Sequence, residues 1–293
     1  MRTAVLDTRH VTTYEYGEPA LRSQNILRVA PRETRWQRAI RSRVDVDPTP
    51  EGVGTHRDYF GNETHSFEIN EPHARLVISA SNSVELREPV LPDPAATAPW
   101  ETVRGRCFPC QGPDAFEAAE YLYDSRRVTR GGRFGEYART SFPAGRAVFD
   151  AALDLNRRIH REFQYDPGST EVDTPVEDAL RTRSGVCQDF AHVMIACLRS
   201  MGIPARYVSG YLRSNPKFVG VEASHAWVSF YCPDTGWIDL DPTNDVAPSL
   251  GHVTLAWGRD YADVPPVKGV TLGGGEQKIS VGVGVTEREQ PCE

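Results

Sequence analysis

One cysteine occupies a position at which a thiol becomes reactive. Cys187 follows Ser-Gly-Val and opens the segment CQDFAHVMIACLRSM (187–201), whose apolar residues recur at helical spacing. A sulfur at a helix start meets free N–H groups and the positive end of the helix dipole, which favour the thiolate. The same N–H groups can hold an oxyanion on an attacked carbonyl. Position alone leaves open that Cys187 is a buried apolar side chain, the interpretation that we favour for Cys197.

A thiolate nucleophile needs a base within hydrogen-bond reach and a group that orients this base. His225 lies in SHAWVSF, and Asp241 lies in the next strand-like run, WIDLDPT. Neighbouring antiparallel strands bring such side chains together. A tight hairpin at 233–236 would place Asp241 near Val228, whereas a wider or bulged loop would place it opposite His225. The sequence leaves this register open.

Each partner has a rival. Asp239 is two residues from Asp241 and shares its strand face, so it is the alternative orienting acid. His192 is the alternative base. It lies five residues after Cys187 on one helix, which rotates it about 140° away from the cysteine, and we expect it to pack behind the site.

Metal and redox chemistry have little support. Cys107 and Cys110 form a C-F-P-C pair, but a zinc site needs a second pair of ligands, and none follows at suitable spacing. Six cysteines in 293 residues do not indicate a disulfide framework. A plain loop with two thiols is therefore the favoured interpretation, and we expect no metal and no cofactor.

Charge and hydropathy exclude other classes. A net charge of -7 argues against nucleic-acid binding, and the arginines at 32–43 fit a solvated strand face better than a basic patch. No apolar run approaches the roughly 20 residues that span a bilayer, and the N-terminus lacks the apolar region of a secretory signal. We expect a cytoplasmic protein without membrane contact. The oligomeric state stays open.

The elements that must position these residues fall into two parts. Residues 1–90 alternate in the period-2 manner of strands, as in RVDVD (43–47) and ARLVISASNSVEL (74–86), and predict a β-rich, sandwich-like domain. Residues 91–112 are predicted to be a linker because prolines cluster there and just before it.

In residues 113–270 the spacing of the apolar residues changes from that of strands to that of helices over several segments. Apolar spacing predicts helices over 114–124 and 144–163, and a Thr174-Pro175-Val176-Glu177 capping box predicts another helix start. The helix at 187–201 and three strands follow, so the predicted class is α+β. Residues 271–293 are glycine-rich and then polar, which predicts a mobile C-terminal tail.

Three blocks resemble a known family. SGVCQDFAHVMIACLRSMGIPARYVSGYL, SHAWVSFY and GWIDLDPTN resemble the core of the transglutaminase-like superfamily in its bacterial branch. HVTTYEY, LRVAPRE, DYFGNETHSFEI and PHARLVISASNSVEL resemble the β-rich domain that precedes this core in many bacterial members. The resemblance implies a papain-like fold of helices on an antiparallel sheet, with Cys187 as nucleophile, His225 as base and Asp241 as orienting acid. It also implies an oxyanion donor upstream, for which Tyr165 in F-x-Y is the best candidate.

The resemblance further implies chemistry on a peptide or protein substrate. Members cleave amides, deamidate glutamine or join glutamine to an amine, all through an acyl-thioester. The animal cross-linking enzymes carry extra domains and calcium sites that this chain is too short to hold, and no calcium-loop motif is present. We therefore expect a hydrolase of peptide or glutamine amides. An acyltransferase on the same triad and a non-catalytic peptide-binding module are the alternatives. Arg213 and Lys217, in the loop 213–223, would favour acidic substrates if they are not simply solvated.

Overall fold

A computed structural model describes residues 2–216, 218–220, 223–233 and 235–288 of the chain. The N-terminal part forms five strands, β1 (Thr3–Leu27), β2 (Gln37–Asp47), β3 (Gly54–Arg57), β4 (Glu63–Ile69) and β5 (His73–Arg87). They build one antiparallel sheet in the order β2-β5-β1-β4-β3. The all-β character predicted for this part is confirmed. Strand β1 belongs to both halves of the sheet, because it pairs with β5 along its first part and with β4 along its last.

The C-terminal residues complete this first sheet, so the prediction of a tail over 271–293 is wrong for the described part. Strands β12 (Val267–Gly273) and β13 (Gln277–Glu287) both pair with β1. Gly273, Gly274 and Gly275 all have positive φ and form the turn between them. The signal for β13 was the alternation of Ile279, Val281, Val283 and Val285, which the neighbouring glycines obscured. Cys292 lies outside the described residues.

The segment predicted as a linker is partly helical. Its prolines do precede regular structure, but helix α1 (Trp100–Cys107) begins directly after Pro99. Val103 and Cys107 are fully buried in the core of the second part. Residues 91–112 therefore contribute to that core, and the burial of two side chains one helical turn apart explains why this part folds as a helix.

The second part packs helices on an antiparallel sheet, which confirms the α+β class. The remaining α-helices of the described part are α2 (Pro113–Ala119), α3 (Gly132–Arg139), α4 (Val148–Glu162), α5 (Val176–Thr182) and α6 (Cys187–Ser200). The sheet has the order β10-β9-β8-β11, formed by β8 (Ala205–Leu212), β9 (His225–Cys232), β10 (Gly236–Leu240) and β11 (His252–Gly258). Two further short strands, β6 (Gln164–Tyr165) and β7 (Ser184–Gly185), pair in parallel.

Helix α6 is the central element of this core. Every residue from Cys187 to Arg199 is buried, and Gly202 ends the helix with a positive φ of 82°. The predicted extent of this helix is confirmed. The predicted capping box of α5 is wrong, because that helix begins at Val176 with Pro175 as N-cap, and the Thr174 hydroxyl instead accepts from the Glu171 N–H at 2.8 Å.

The two sheets pack on each other. Leu6, Val84 and Val285 of the first sheet meet Tyr211 and Val253 of the second in one apolar cluster. All residues of β8 and β9 are buried, since α6 covers one face of their sheet and the first sheet lies against the other. The strands that carry the candidate site are thus held from both sides. Among the described helices, none has the length and apolar character that crossing a membrane would require.

Candidate active site

The start of α6 is fixed by a buried carboxylate. Val186, in extended conformation, precedes the first helical residue, Cys187. Its N–H donates to Asp189 Oδ2 at 2.8 Å, and the Thr170 hydroxyl donates to the same oxygen at 2.7 Å. A Cβ on Gly185 would lie 2.5 Å from this Oδ2, so the position requires glycine. The backbone at Gly185 therefore lies directly against the Asp189 side chain.

Strands β9 and β10 bring His225 and Asp241 together. Leu240 pairs with Val228, so Asp241 follows one residue later and meets His225 diagonally across the two strands. His225 Nε2 and Asp241 Oδ2 are 2.8 Å apart, and both side chains are fully buried. The register is close to that of a tight hairpin, and no wide loop was needed, because a diagonal pair is within reach of these side chains.

The Asp241 carboxylate is surrounded by donors besides His225. Oδ1 accepts from the backbone N–H groups of Thr243 at 2.9 Å and Asn244 at 3.3 Å. Oδ2 accepts from Asn244 Nδ2 at 2.9 Å and lies 3.3 Å from His252 Nε2. Burial alone would raise the pKa of Asp241, but His225 and then His252 hold it well below the ordinary value of an aspartate. The carboxylate is therefore an anion wherever the protein is folded near neutral pH.

Asn244 and His252 were not predicted from the sequence. Asn244 follows the D-P-T motif directly, so its closeness to Asp241 was a signal in the sequence. His252 gave no such signal, because it lies on β11, which is brought near by pairing with β8.

His225 offers its second nitrogen to the nucleophile. Among the described residues, Nδ1 has no hydrogen-bond partner. Burial lowers the pKa of His225, but the Asp241 carboxylate and then the Cys187 sulfur outweigh burial and raise it to about 10. The Cys187 sulfur also lies 4.0 Å from the Ser224 carbonyl oxygen. The ring is therefore oriented through Nε2 and charged at neutral pH.

Tyr165 lies beside the start of α6. It pairs with Gly185 across the parallel strands β6 and β7, two residues before Cys187. Burial and the Cys187 sulfur raise the pKa of Tyr165 to about 12, which keeps its hydroxyl a neutral donor. Burial and then the Cys187 sulfur also raise the pKa of Tyr207 and Tyr261, two hydroxyls that were not predicted from the sequence. Tyr165 thus lies near Cys187, and its role as oxyanion donor stays a prediction.

The rival residues have other partners. Asp239 Oδ2 accepts from Trp227 Nε1 at 3.1 Å. His192 Nε2 accepts from the Tyr261 backbone N–H at 3.2 Å, and burial lowers the pKa of His192 to about 4. Arg213 pairs with Glu287, so its charge is already balanced, whereas Lys217 lies outside the described residues.

One cluster in the described part of the chain has the spacing of metal ligands. It consists of His225, Asp241 and His252, whose ligand atoms lie within 4.8 Å of one another. Hydrogen bonds already join these three side chains, the arrangement of an orienting acid. The backbones of Cys107 and Cys110 form an isolated antiparallel bridge across a turn, and both cysteines are free thiols. The Cys110 thiol donates to the Cys107 carbonyl oxygen at 3.4 Å. Neither cysteine belongs to that cluster.

Comparison with known proteins bears on the family and the fold. The family model of the transglutaminase-like superfamily matches residues 136–242, and that of the bacterial transglutaminase-like N-terminal region matches residues 6–85. A candidate cysteine protease from Cytophaga hutchinsonii has a similar crystal structure, with a TM-score of 0.80 over 100% of this chain and 93% of that one, at 23% identity. At that identity the likeness shows the fold.

Two sequence relatives complete the comparison. A protein-glutamine gamma-glutamyltransferase of Pseudomonas aeruginosa is 41% identical over 106 residues, which make up 33% of this chain and 16% of that enzyme. An uncharacterized protein of Mycobacterium tuberculosis is 36% identical over 282 residues, 92% of this chain and 88% of that protein. With both family regions matched in order, this chain belongs to the transglutaminase-like superfamily.

Proposed function

We propose that this protein is a cysteine-nucleophile hydrolase that cleaves peptide or glutamine amide bonds through an acyl-thioester on Cys187. The observation that carries the proposal is the buried ring of His225, 2.8 Å from Asp241 at Nε2 and without a partner among the described residues at Nδ1. A ring oriented at one nitrogen and open at the other, beside a sulfur at a helix start, meets the needs of this chemistry.

Acylation uses the groups around Cys187. Its thiolate attacks the carbonyl carbon of the amide, and the carbonyl electron pair moves onto oxygen. The first N–H groups of α6 and the neutral hydroxyl of Tyr165 donate hydrogen bonds to this oxyanion. As the oxyanion collapses, the C–N bond breaks and His225 gives its proton to the leaving nitrogen. An amine or ammonia leaves, and the acyl group stays on sulfur.

Deacylation reverses the role of the base. Neutral His225 takes a proton from a water molecule, whose oxygen attacks the thioester carbon. The C–S bond then breaks, which releases a carboxylic acid and restores the thiolate beside a protonated imidazole. Asp241 stays ionised throughout and supports the charged ring, in agreement with a His225 pKa of about 10.

Acyl transfer to an amine is the second candidate. The observation that favours it is the 41% identity to the glutamyltransferase of Pseudomonas aeruginosa within the core. The intermediate is the same, and an amine replaces water in the second step. That enzyme shares only 16% of its length with this chain, so we place hydrolysis first.

One experiment separates these functions. The protein is incubated with a glutamine peptide library and a fluorescent primary amine, and mass spectrometry follows free acids, shortened peptides and amine adducts together. We expect acids or shortened peptides to exceed adducts, and no product from Cys187→Ala. The control is Cys110→Ala, which removes an exposed thiol and leaves turnover unchanged. Adducts as the main product would favour transfer, and equal turnover by Cys187→Ala would contradict any cysteine chemistry.

A further inference from the structure

A cavity with aromatic and cationic walls lies between the two sheets. Its volume is about 280 Å³, at the small end of the range for small-molecule sites. Trp36, which directly precedes β2, and Arg87, at the end of β5, line it from the first part of the chain. Its other wall belongs to the second sheet and carries Arg206, Trp227, Trp237 and Trp257. Nothing in the chemistry proposed above uses this cavity.

Arg206 is the unusual group in this wall. The side chain extends from β8, and the residue is only 9% exposed. Its guanidinium lies 4.2 Å from the centre of the Trp237 ring and 3.7 Å from that of Trp257. Rings over a guanidinium leave its N–H groups free only near its own plane. Among the described residues, Nε has no hydrogen-bond partner.

The charges around the cavity favour an anion. Arg35, Arg87 and Arg206 line it, and the carboxylate that lines it belongs to Asp239. Arg87 is paired with Glu85 at 3.3 Å, which leaves Arg35 and Arg206 against Asp239. One oxygen of that carboxylate already accepts from Trp227 Nε1 at 3.1 Å. The cationic groups therefore outnumber the anionic ones, and an incoming anion would meet a guanidinium that has already lost most of its hydration.

We propose that this cavity binds a small aromatic carboxylate. The carboxylate pairs with Arg206 through two parallel N–H···O bonds, the geometry that a guanidinium offers to a planar anion. The aromatic ring packs among the indoles and against Pro89 and Leu91 at the rim. His252, which hydrogen-bonds to Asp241, also lines the cavity, so the ligand would share a wall with the candidate active site.

Calorimetric titration of the full chain tests the proposal without any enzyme turnover, so its outcome is independent of the proposed function. The probes are 2-naphthoate and its neutral counterpart 2-naphthamide. We expect saturable binding of the acid and binding at least about tenfold weaker for the amide, because the amide lacks the charge that Arg206 pairs with. Arg206→Met keeps an unbranched chain between the two rings, and we expect it to weaken acid binding at least about tenfold.

A rim variant keeps the test decisive if Arg206→Met does not fold. Val90 lines the cavity and is 67% exposed, so Val90→Glu adds a repelling carboxylate at little cost in stability. Val270 is 74% exposed on β12 and does not line this cavity, which makes Val270→Glu the matched control. We expect several-fold weaker acid binding in the first variant and none of this loss in the second. Equal binding of acid and amide, no saturable binding, wild-type affinity in a folded Arg206→Met, or equal effects of the two glutamates would overturn the proposal.

Discussion

At the scale of single residues, the two ring nitrogens of His225 define the candidate site. Nε2 is hydrogen-bonded, and Nδ1 has no hydrogen-bond partner among the described residues. Asp241 holds Nε2, and five donors in all surround that carboxylate. The residue types and their order predicted Cys187, His225 and Asp241. His252 and the orientation of the ring were not predictable, because both depend on which strands pair and on their register.

Replacing the orienting acid should remove most activity. We expect Asp241→Asn to lower kcat by about 10³-fold, because the amide cannot support a charged imidazole and favours the wrong tautomer. The matched control is Asp239→Asn, for which we expect a change of less than about threefold. Steady-state kinetics with circular dichroism to verify folding measures both. A larger effect for Asp239→Asn would reverse the assignment of the acid.

The charge on His225 makes stability depend on pH. Its pKa is raised to about 10 in the folded protein, above the ordinary 6.5. The stabilisation that the charged His225 ring adds to the free energy of unfolding is therefore fully present below about pH 6.5. It is lost as the pH rises towards about 10. We expect the free energy of unfolding to fall between pH 7 and pH 10, and to fall less in His225→Gln. Urea denaturation at both pH values measures this, and equal slopes in the two proteins would refute a raised pKa.

Among the helices and strands, those with regularly spaced apolar residues were predicted. Those in which proline or glycine interrupts this spacing were not. Helix α6 and strands β8 to β10 agree with the predicted runs. Helix α1 was hidden by the neighbouring prolines, and β13 by Gly282 and Gly284 in its interior. Composition argued against regular structure in both segments. Burial of Val103 and Cys107 outweighed it in α1, and pairing with β1 outweighed it in the largely exposed β13.

The start of α6 gives a prediction at the scale of this element. A Cβ on Gly185 would lie 2.5 Å from Asp189 Oδ2, so Gly185→Ala must displace the carboxylate that holds the helix start. We expect a loss of about 1–3 kcal/mol in the free energy of unfolding and a kcat lower by tenfold or more. Gly105→Ala is the control, because a Cβ there meets nothing within 4 Å. Wild-type kcat in a folded Gly185→Ala would show that this contact does not position Cys187.

At the scale of the whole molecule, the first strand and the last described strand pair with each other and pack in one apolar cluster. Strand β13 pairs with β1 over Leu6–Tyr16, and Val285 packs with Leu6 and Tyr211 between the sheets. The division into domains along the sequence missed this, since a strand added from the far end of the chain leaves no local signal for its partner.

Two substitutions on β13 test whether this strand contributes to the packing between the sheets. Val285 is 8% exposed and Val281 is 44% exposed on the same strand. We expect Val285→Asp to cost about 2–4 kcal/mol, because it buries a charge between the sheets, and Val281→Asp to cost less than about 1 kcal/mol. Urea denaturation measures both. Equal and small costs would mean that this strand does not contribute to the core.

Competitive alkylation tests the central claim, that Cys187 is a reactive nucleophile activated by His225. The native protein is treated with limiting iodoacetamide at pH 5.5, and peptide mass spectrometry quantifies each modified cysteine. Cys110 is the internal control, because it is exposed whereas Cys187 is only 9% exposed. We predict that Cys187 is alkylated first and that His225→Gln abolishes this preference. Faster modification of Cys110 than of Cys187 in the wild-type protein would contradict the account.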